Sequence, residues 1–137
     1  MIKIIKNSMK TILVDAVFTL IEEDGNVFEE MHELLEEFPN RKIILTGAND
    51  EQMETFKLHD APYEVFTLKH DPEKTDPKYH EMMLEHFDLK ADDVIYFEHG
   101  AEAVKSAESV GIKTYFYDAE RKDLESLKKF LVDNLEK

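Results

Sequence analysis

The sequence contains no cysteine, and it has only four glycines and four prolines. Without cysteine the chain can form no disulfide, no thiolate metal site and no cysteine nucleophile, which favours a reducing compartment, and we expect the cytoplasm. Because glycine and proline are few and scattered, the sequence shows no linker, internal repeat or low-complexity tract. The 137 residues therefore predict one domain, with residues 1–8 as a short N-terminal extension.

Positive charge is also scarce, since 17 lysines and arginines face 31 aspartates and glutamates, for a formal net charge of −14. An acidic surface repels nucleic acid and anionic membranes, and we expect neither as a partner. The sequence has no apolar run long enough to span a membrane, and the N-terminal MIKIIKNSMK is unlike a signal peptide. An anionic substrate would need a local lysine or metal ion to offset the acidic charge.

Short apolar runs alternate with amphipathic segments along the chain. The predicted strands are residues 11–14, 42–45, 63–68, 93–97 and 113–117, and their composition is typical of strands buried on both faces. Apolar residues recur at helical spacing in stripes that begin at Val27, Met53, Tyr79, Val104 and Leu124. This alternation predicts a three-layer, Rossmann-like α/β fold with a parallel five-stranded sheet and helices on both faces.

Polar side chains follow three of the predicted strands. Asp15 comes directly after the first strand in ILVDAVFTL, Thr46 after the second, and Glu98 after the fourth. Lys74 lies in the charged loop HDPEKTDPK, which precedes the helix leading to the fourth strand. Ligands of such folds bind outside the carboxyl ends of the strands. The predicted edge of the sheet therefore collects two carboxylates, a hydroxyl and an ammonium group.

These four groups suit phosphoryl chemistry. A carboxylate such as that of Asp15 can attack an electrophilic phosphorus or carbon atom and form a covalent intermediate. The ammonium group of Lys74 would keep that carboxylate ionised and neutralise an incoming phosphate, and the Thr46 hydroxyl would donate to a phosphoryl oxygen. Glu98 would complete a Mg²⁺ site, because Mg²⁺ prefers oxygen ligands.

In their order along the chain, these positions resemble the motifs of the haloacid dehalogenase-like (HAD) superfamily. The first motif of that family, a strand ending in D-x-D-x-T-L or D-x-x-x-T-L, is similar to the run from Asp15 to Leu20. The other three motifs are matched by Thr46, by Lys74 followed by Thr75-Asp76-Pro77, and by Glu98 followed by His99. The resemblance covers residues 10–117.

The resemblance implies a single core domain over residues 1–137, with sheet order 5-4-1-2-3 and no cap domain, because each inter-motif segment holds only one helix and one strand. A capless core has an open site, which in this family implies a large substrate or a partner that closes it. The implied activity is that of a Mg²⁺-dependent phosphohydrolase acting on a phosphorylated substrate. The implied catalytic residues are Asp15 and Lys74, the substrate-binding residues are Thr46, Val17 and Phe18, and the magnesium ligands are Asp15, the Val17 carbonyl and Glu98.

Three positions depart from the family pattern. Val17 stands where family phosphatases have an acid–base aspartate, and such a group typically contributes ~10²–10⁴-fold in rate. Phe18 replaces a common glycine and adds bulk where a substrate would enter, and His99 replaces an acidic residue of the fourth motif. The first motif also resembles the dehalogenase branch, but we find no arginine or cap residues to hold a haloacid, so that activity ranks low.

Each candidate residue also has a structural interpretation. Asp15 would cap a turn, and Thr46 would form a local turn through its hydroxyl. Lys74 would be a solvated lysine like Lys69, or it would pair with Glu98 in place of a metal ion. The histidines show no HExxH motif and no pair at i, i+4, so we expect no dedicated zinc site.

Two hypotheses follow for the function. In the first, Asp15 is the nucleophile of a HAD-like phosphohydrolase whose turnover is weak because Val17 supplies no proton. In the second, the protein is a catalytically inactive relative that binds a ligand or a protein partner at the same cleft. The second is favoured by Val17, Phe18 and His99, and the first by Asp15, Thr46, Lys74 and Glu98. In structural terms Phe18 and Met82 would be core or pocket lining, and His99 would be a satisfied polar side chain.

Overall fold

The computed structural model describes residues 9–135 and contains a five-stranded parallel sheet. The strands are β1 (Thr11–Asp15), β2 (Lys42–Thr46), β3 (Glu64–Thr67), β4 (Val94–Glu98) and β5 (Lys113–Phe116). Their order is β3-β2-β1-β4-β5, which confirms the predicted order read from the other edge. The predicted extension at residues 1–8 lies outside the described residues.

The strand limits differ slightly from the predicted ones. β1, β2 and β4 each extend one residue further, so Asp15, Thr46 and Glu98 are the last residues of their strands. β4 begins at Val94 because Asp93 belongs to a 3₁₀ turn, in which its carboxylate accepts a hydrogen bond from the Lys90 amide. The three polar side chains are therefore held by strand backbone and not by loops.

The sheet is buried at its centre and exposed at its edges. All five residues of β1 and of β4 are buried, whereas β3 and β5 each contain exposed residues. The prediction that all five strands are buried on both faces is therefore wrong for β3 and β5. Each of these strands has a neighbour on one side only, so its side chains are less completely covered.

Helices cover both faces of the sheet, as predicted. They are α1 (Glu29–Glu36), α2 (Asp50–Thr55), α3 (Pro77–Phe87), α4 (Ala101–Ser109) and α5 (Leu124–Leu135). Ile12 of β1 belongs to the core formed with α1 and α5, whereas its neighbour Leu13 belongs to the core formed with α3 and α4. This alternation is the period of two that a strand imposes on its side chains. No helix within residues 9–135 has the length and apolar character needed to cross a membrane.

Two helices begin with a capping side chain, and one apolar residue differs from its prediction. Asn49 and Gln52 form a reciprocal capping box at α2, and the Asp76 side chain accepts a hydrogen bond from the Lys78 amide at α3. The prediction that Met82 is core or pocket lining is wrong, because its side chain is 37% exposed. The next residue, Met83, is buried instead. Successive side chains of a helix point about 100° apart around its axis, so Met82 points away from the packed face.

Candidate functional site

The chain turns back on itself immediately after β1. The carbonyl oxygens of Asp15 and Ala16 accept hydrogen bonds from the amides of Leu20 and Ile21. This turn brings the Thr19 hydroxyl to 2.7 Å from Asp15 Oδ2, to which it donates. Phe18, at the tip of the turn, has a positive φ of 70° and its side chain is 49% exposed.

Lys74 connects the two carboxylates at this edge of the sheet. Its Nζ atom lies 2.7 Å from Asp15 Oδ1 and 2.7 Å from Glu98 Oε1, and it also donates to the Leu45 carbonyl at 3.1 Å. Only 14% of the Lys74 side chain is exposed. The predicted pairing of Glu98 with Lys74 is therefore present, and it includes Asp15 as well.

His99 faces the remaining oxygens of the same two carboxylates. Its Nδ1 atom contacts Asp15 Oδ2 and lies 3.6 Å from Glu98 Oε2. The His99 backbone amide also donates to Asp15 Oδ2, at 3.2 Å, and the Gly100 amide donates to Glu98 Oε2, at 2.9 Å. His99 was predicted only as a satisfied polar side chain, although its position directly after the strand-terminal Glu98 was a signal that it would reach this edge.

The charges of this cluster shift the pKa values of its members. Burial alone would raise the pKa of the Asp15 carboxyl, but Lys74 and His99 outweigh it, so the pKa lies below its ordinary value. Burial alone would lower the pKa of Lys74, but Asp15 and Glu98 raise it. Asp15 and Lys74 are therefore both ionised at neutral pH.

The pKa of Glu98 is shifted in the opposite direction from that of Asp15. Burial and then the nearby Asp15 carboxylate raise it, although Lys74 acts against them. The Tyr96 hydroxyl donates a hydrogen bond to Glu98 Oε1. The pKa of His99 is raised chiefly by its hydrogen bond to Asp15. One oxygen of each carboxylate thus faces Lys74, and the other faces the imidazole.

All six residues predicted for the site line one cavity of about 370 Å³. They are Asp15, Val17, Phe18, Thr46, Lys74 and Glu98, and His99 lines the same cavity. The Thr46 hydroxyl accepts a hydrogen bond from the Ala48 amide, which leaves its proton free to be donated to a ligand. The roles assigned to these residues stay predictions, whereas their convergence is a property of the structure.

A second and larger cavity of about 880 Å³ adjoins the first, and the two share Phe18 and His99 as lining residues. It lies between the turn that follows β1 and the loop that follows β5. Its acidic lining residues are Glu22, Glu23, Asp24, Asp118 and Glu120. The sequence did not predict this cavity, because its acidic residues follow the first motif and the loop after β5 carries no motif.

This arrangement supports three chemical capabilities. A buried, ionised carboxylate lies beside a cavity, and a fixed ammonium group is available to neutralise an anion there. Two carboxylates and an imidazole place ligand atoms within 4.8 Å of one another, which suits a divalent cation. The cavity wall offers no carboxylate at Val17, so a second acid–base aspartate is lacking.

Comparisons with known proteins show the fold of this chain. No family model and no curated protein matches the sequence. Among solved structures, a HAD family enzyme from Bacteroides thetaiotaomicron, an aspartate-to-alanine mutant in complex with magnesium and inorganic phosphate, superposes with a TM-score of 0.67 at 15% identity, covering 87% of this chain and 98% of that one.

Two further solved structures give the same result. The D,D-heptose 1,7-bisphosphate phosphatase from Burkholderia thailandensis superposes with a TM-score of 0.57 at 11% identity, covering 93% of this chain and 99% of that one. An uncharacterised protein from Corynebacterium glutamicum has a TM-score of 0.55 at 15% identity, covering 89% and 95%. The chain therefore has the HAD-like hydrolase fold.

Proposed function

We propose that this protein is a HAD-superfamily phosphohydrolase of weak turnover, with Asp15 as its nucleophile. The observation that carries the proposal is the buried Asp15–Lys74 ion pair at the wall of the 370 Å³ cavity. A nucleophilic carboxylate must be ionised and must face the space where its substrate binds. Lys74 keeps the Asp15 carboxylate ionised, and the cavity is the space that this carboxylate faces.

The reaction follows from the groups around the cavity. An Asp15 oxygen attacks the phosphorus atom, forming an aspartyl phosphate as the bond between phosphorus and the leaving-group oxygen breaks. Lys74 and the Thr46 hydroxyl stabilise the phosphoryl oxygens by charge and by hydrogen bonding. Water then attacks the phosphorus of the aspartyl phosphate and releases inorganic phosphate and the Asp15 carboxylate.

The weak step is proton transfer, because Val17 carries no ionisable group. The leaving oxygen must depart without a proton from this position, and the attacking water must lose its proton to solvent or to a more distant group. Substrates whose leaving group is a stable anion, such as an aryl phosphate, are therefore favoured. The missing group is expected to cost ~10²–10⁴-fold in rate.

Magnesium is the cofactor we propose, on the basis of the donor atoms. Asp15 and Glu98 supply carboxylate oxygens, and the hydrogen bonds of the turn after β1 use the carbonyls of Asp15, Ala16 and Ile21, leaving the Val17 carbonyl available. These oxygens fit a hard divalent cation. When bound, the ion would neutralise charge on the phosphoryl oxygens. The magnesium and phosphate complex of the Bacteroides enzyme, which has the same fold, supports this choice.

A second function is favoured by one specific observation. Both oxygens of Asp15 are already engaged, Oδ1 by Lys74 and Oδ2 by Thr19 and His99. A ligand- or protein-binding module that has lost turnover would show such a fully satisfied aspartate. Only α1 lies between β1 and β2, and only α2 and a short 3₁₀ turn lie between β2 and β3, which leaves room for a macromolecular partner to reach the cavity.

Hydrolysis of an aryl phosphate separates the two functions. We expect slow release by the wild type, none by Asp15→Asn, and a gain of about 10²-fold or more by Val17→Asp, because the new carboxylate restores a proton donor and acceptor. Asp24→Asn, an exposed acid lining the neighbouring cavity, is the matched control and should leave the rate unchanged. If neither Asp15→Asn nor Val17→Asp changes the rate, the enzymatic proposal is wrong and the binding module remains.

A further inference from the structure

His70 lines the 370 Å³ cavity, and the proposed reaction does not use it. The ionisable side chains that line this cavity are Asp15, His70, Glu73, Lys74, Glu98 and His99. Four of them form the cluster around the nucleophile, whereas His70 and Glu73 form a separate pair, with 2.8 Å between His70 Nδ1 and Glu73 Oε1. The cavity therefore contains a second imidazole outside the cluster of the nucleophile.

The loop after β3 holds the His70 ring against the end of β2. A Cβ atom on Gly47 would lie 3.2 Å from His70 Nδ1, so the ring packs closely on the residue that follows Thr46. Lys69 and His70 are successive non-glycine residues with positive φ, of 54° and 67°. Such strained backbone persists where the surrounding structure holds it, and it is concentrated at functional sites.

Both ring nitrogens of His70 face oxygen acceptors. Gln52 Oε1 lies 2.6 Å from His70 Nε2, and it already accepts a hydrogen bond from the Asn49 amide, which identifies it as the oxygen of the side-chain amide. An ionised carboxylate such as that of Glu73 can only accept. Each ring nitrogen therefore donates, and this describes a protonated imidazolium with a proton at Nε2.

His99 lines the same cavity but lies beside the nucleophile. Its Nδ1 atom contacts Asp15 Oδ2, so it faces the attacking carboxylate itself. In a phosphoryl transfer the attacking and leaving oxygens lie roughly in line, on opposite sides of phosphorus. A proton donor for the leaving oxygen must consequently be separate from the nucleophile, as is His70, whose hydrogen-bond partners are Gln52 and Glu73.

We propose that His70 is the acid–base residue of this cavity and supplies the proton that Val17 cannot. The inference rests on the proposed function, since it names the group that donates and accepts the protons of that reaction. Histidine is the commonest general acid and base, because imidazole exchanges its proton readily near neutral pH. Glu73 is a positioning residue, because its carboxylate holds Nδ1–H and leaves Nε2 as the nitrogen that exchanges its proton.

The proton balance of the reaction closes with this assignment. As an Asp15 oxygen attacks phosphorus, the bond between phosphorus and the leaving oxygen breaks, and the leaving oxygen keeps the electron pair and takes the Nε2 proton. The neutral imidazole then accepts a proton from the water that attacks the aspartyl phosphate, and the electron pair of the breaking bond returns to the Asp15 carboxylate. The cycle ends with the imidazolium, the free alcohol or phenol, and inorganic phosphate.

The test compares two aryl phosphates with different leaving groups, using the full chain and Mg²⁺. Para-nitrophenolate is a stable anion and departs with little help, whereas phenolate needs a proton from an acid. His70→Gln keeps a hydrogen-bonding side chain that cannot transfer a proton. We expect the ratio of kcat/KM for para-nitrophenyl phosphate to kcat/KM for phenyl phosphate to rise by about tenfold or more in His70→Gln. Glu73→Gln should raise the same ratio by a smaller factor.

Two controls separate proton transfer from a structural role. His32 of α1 lies 3.9 Å from an oxygen of Glu29, three positions away, so it is also a histidine beside a glutamate, and His32→Gln should leave the ratio unchanged. In Val17→Asp the new carboxylate supplies the proton. Adding His70→Gln to that variant should therefore change the ratio by less than about threefold.

The outcomes separate this inference from the proposed function. If hydrolysis depends on Asp15 but His70→Gln affects both substrates equally, or affects neither, His70 is not the acid–base residue and the phosphohydrolase stands. A rise of the ratio in His32→Gln, or an undiminished effect of His70→Gln in the Val17→Asp background, would also overturn the inference. If neither substrate is hydrolysed in a manner that depends on Asp15, the proposed function itself is wrong and this inference is wrong with it.

Discussion

Two lysines of the same loop, Lys69 and Lys74, have opposite environments. Lys69 is 60% exposed and pairs with an exposed Asp50 at 3.1 Å, whereas Lys74 is 14% exposed and contacts two buried carboxylates. All three ion pairs lie within hydrogen-bonding distance, at 2.7 to 3.1 Å, so distance alone does not distinguish the two lysines. What distinguishes them is the solvent, which weakens the Lys69 pair and is largely excluded from the two Lys74 pairs.

The largest expected effect comes from removing the buried cation. Lys74→Met should lower the free energy of unfolding at neutral pH by about 3–5 kcal/mol, because it leaves the Asp15 and Glu98 carboxylates buried without a counter-charge. Urea denaturation measures this change. Combining Lys74→Met with Asp15→Asn should recover a substantial part of the loss, and a loss below about 1 kcal/mol in the single variant would show that solvent screens the cluster after all.

The next effect concerns His80, whose Nε2–H donates to the Lys74 carbonyl at 3.0 Å. Burial lowers the pKa of His80 from 6.5 to about 4, so the unfolded state binds a proton at a higher pH than the folded state. Stability should therefore fall as the pH drops from about 6.5 to 4, by about 3 kcal/mol at ~1.4 kcal/mol per pKa unit.

Comparison with His80→Gln isolates this contribution. The difference in unfolding free energy between wild type and His80→Gln should shrink by that amount between pH 7 and pH 4, as measured by urea denaturation at each pH. His59→Gln removes an exposed histidine and should follow the wild type throughout. If the difference in unfolding free energy stays constant over this pH range, His80 has the same pKa in the folded and unfolded states and the prediction is wrong.

The smallest effect is expected for the exposed lysine. Lys69→Met should change the free energy of unfolding by less than about 0.5 kcal/mol, because exposed ion pairs contribute little. The same urea denaturation used for Lys74→Met gives the value under identical conditions. Equal losses for the two variants would remove the distinction between the pairs.

The sequence was sufficient to predict the sheet and the polar side chains at its edge. Asp15, Thr46 and Glu98 end apolar strands, and parallel strands bring their carboxyl ends together, so their meeting follows from topology. The choice of Lys74 over Lys69 came only from resemblance to a motif, because both are lysines in one charged loop. Burial, which decides between them, is a property of the folded chain.

Other features could not be read from the sequence. The side chain of His99 contacts Asp15, 84 positions away, and the sequence places His99 at this edge of the sheet without revealing the direction of its side chain. The acidic residues of the larger cavity lie beyond the first motif and in the loop after β5, where the sequence shows no motif. Met82 fits an apolar stripe but lies outside the packed face, since α3 presents Tyr79 and Met83 to the sheet.

The position of β1 between β2 and β4 has a consequence for the order of assembly. Thr11 pairs with Val94, so the centre of the sheet joins segments that lie 83 positions apart in the chain. At a ribosomal speed of ~5–20 residues per second, Glu98 emerges roughly 4–17 s after Asp15. During that interval one side of β1 is an unpaired strand edge. Such an edge can pair with a wrong strand of the same chain or with another chain and so lead to aggregation.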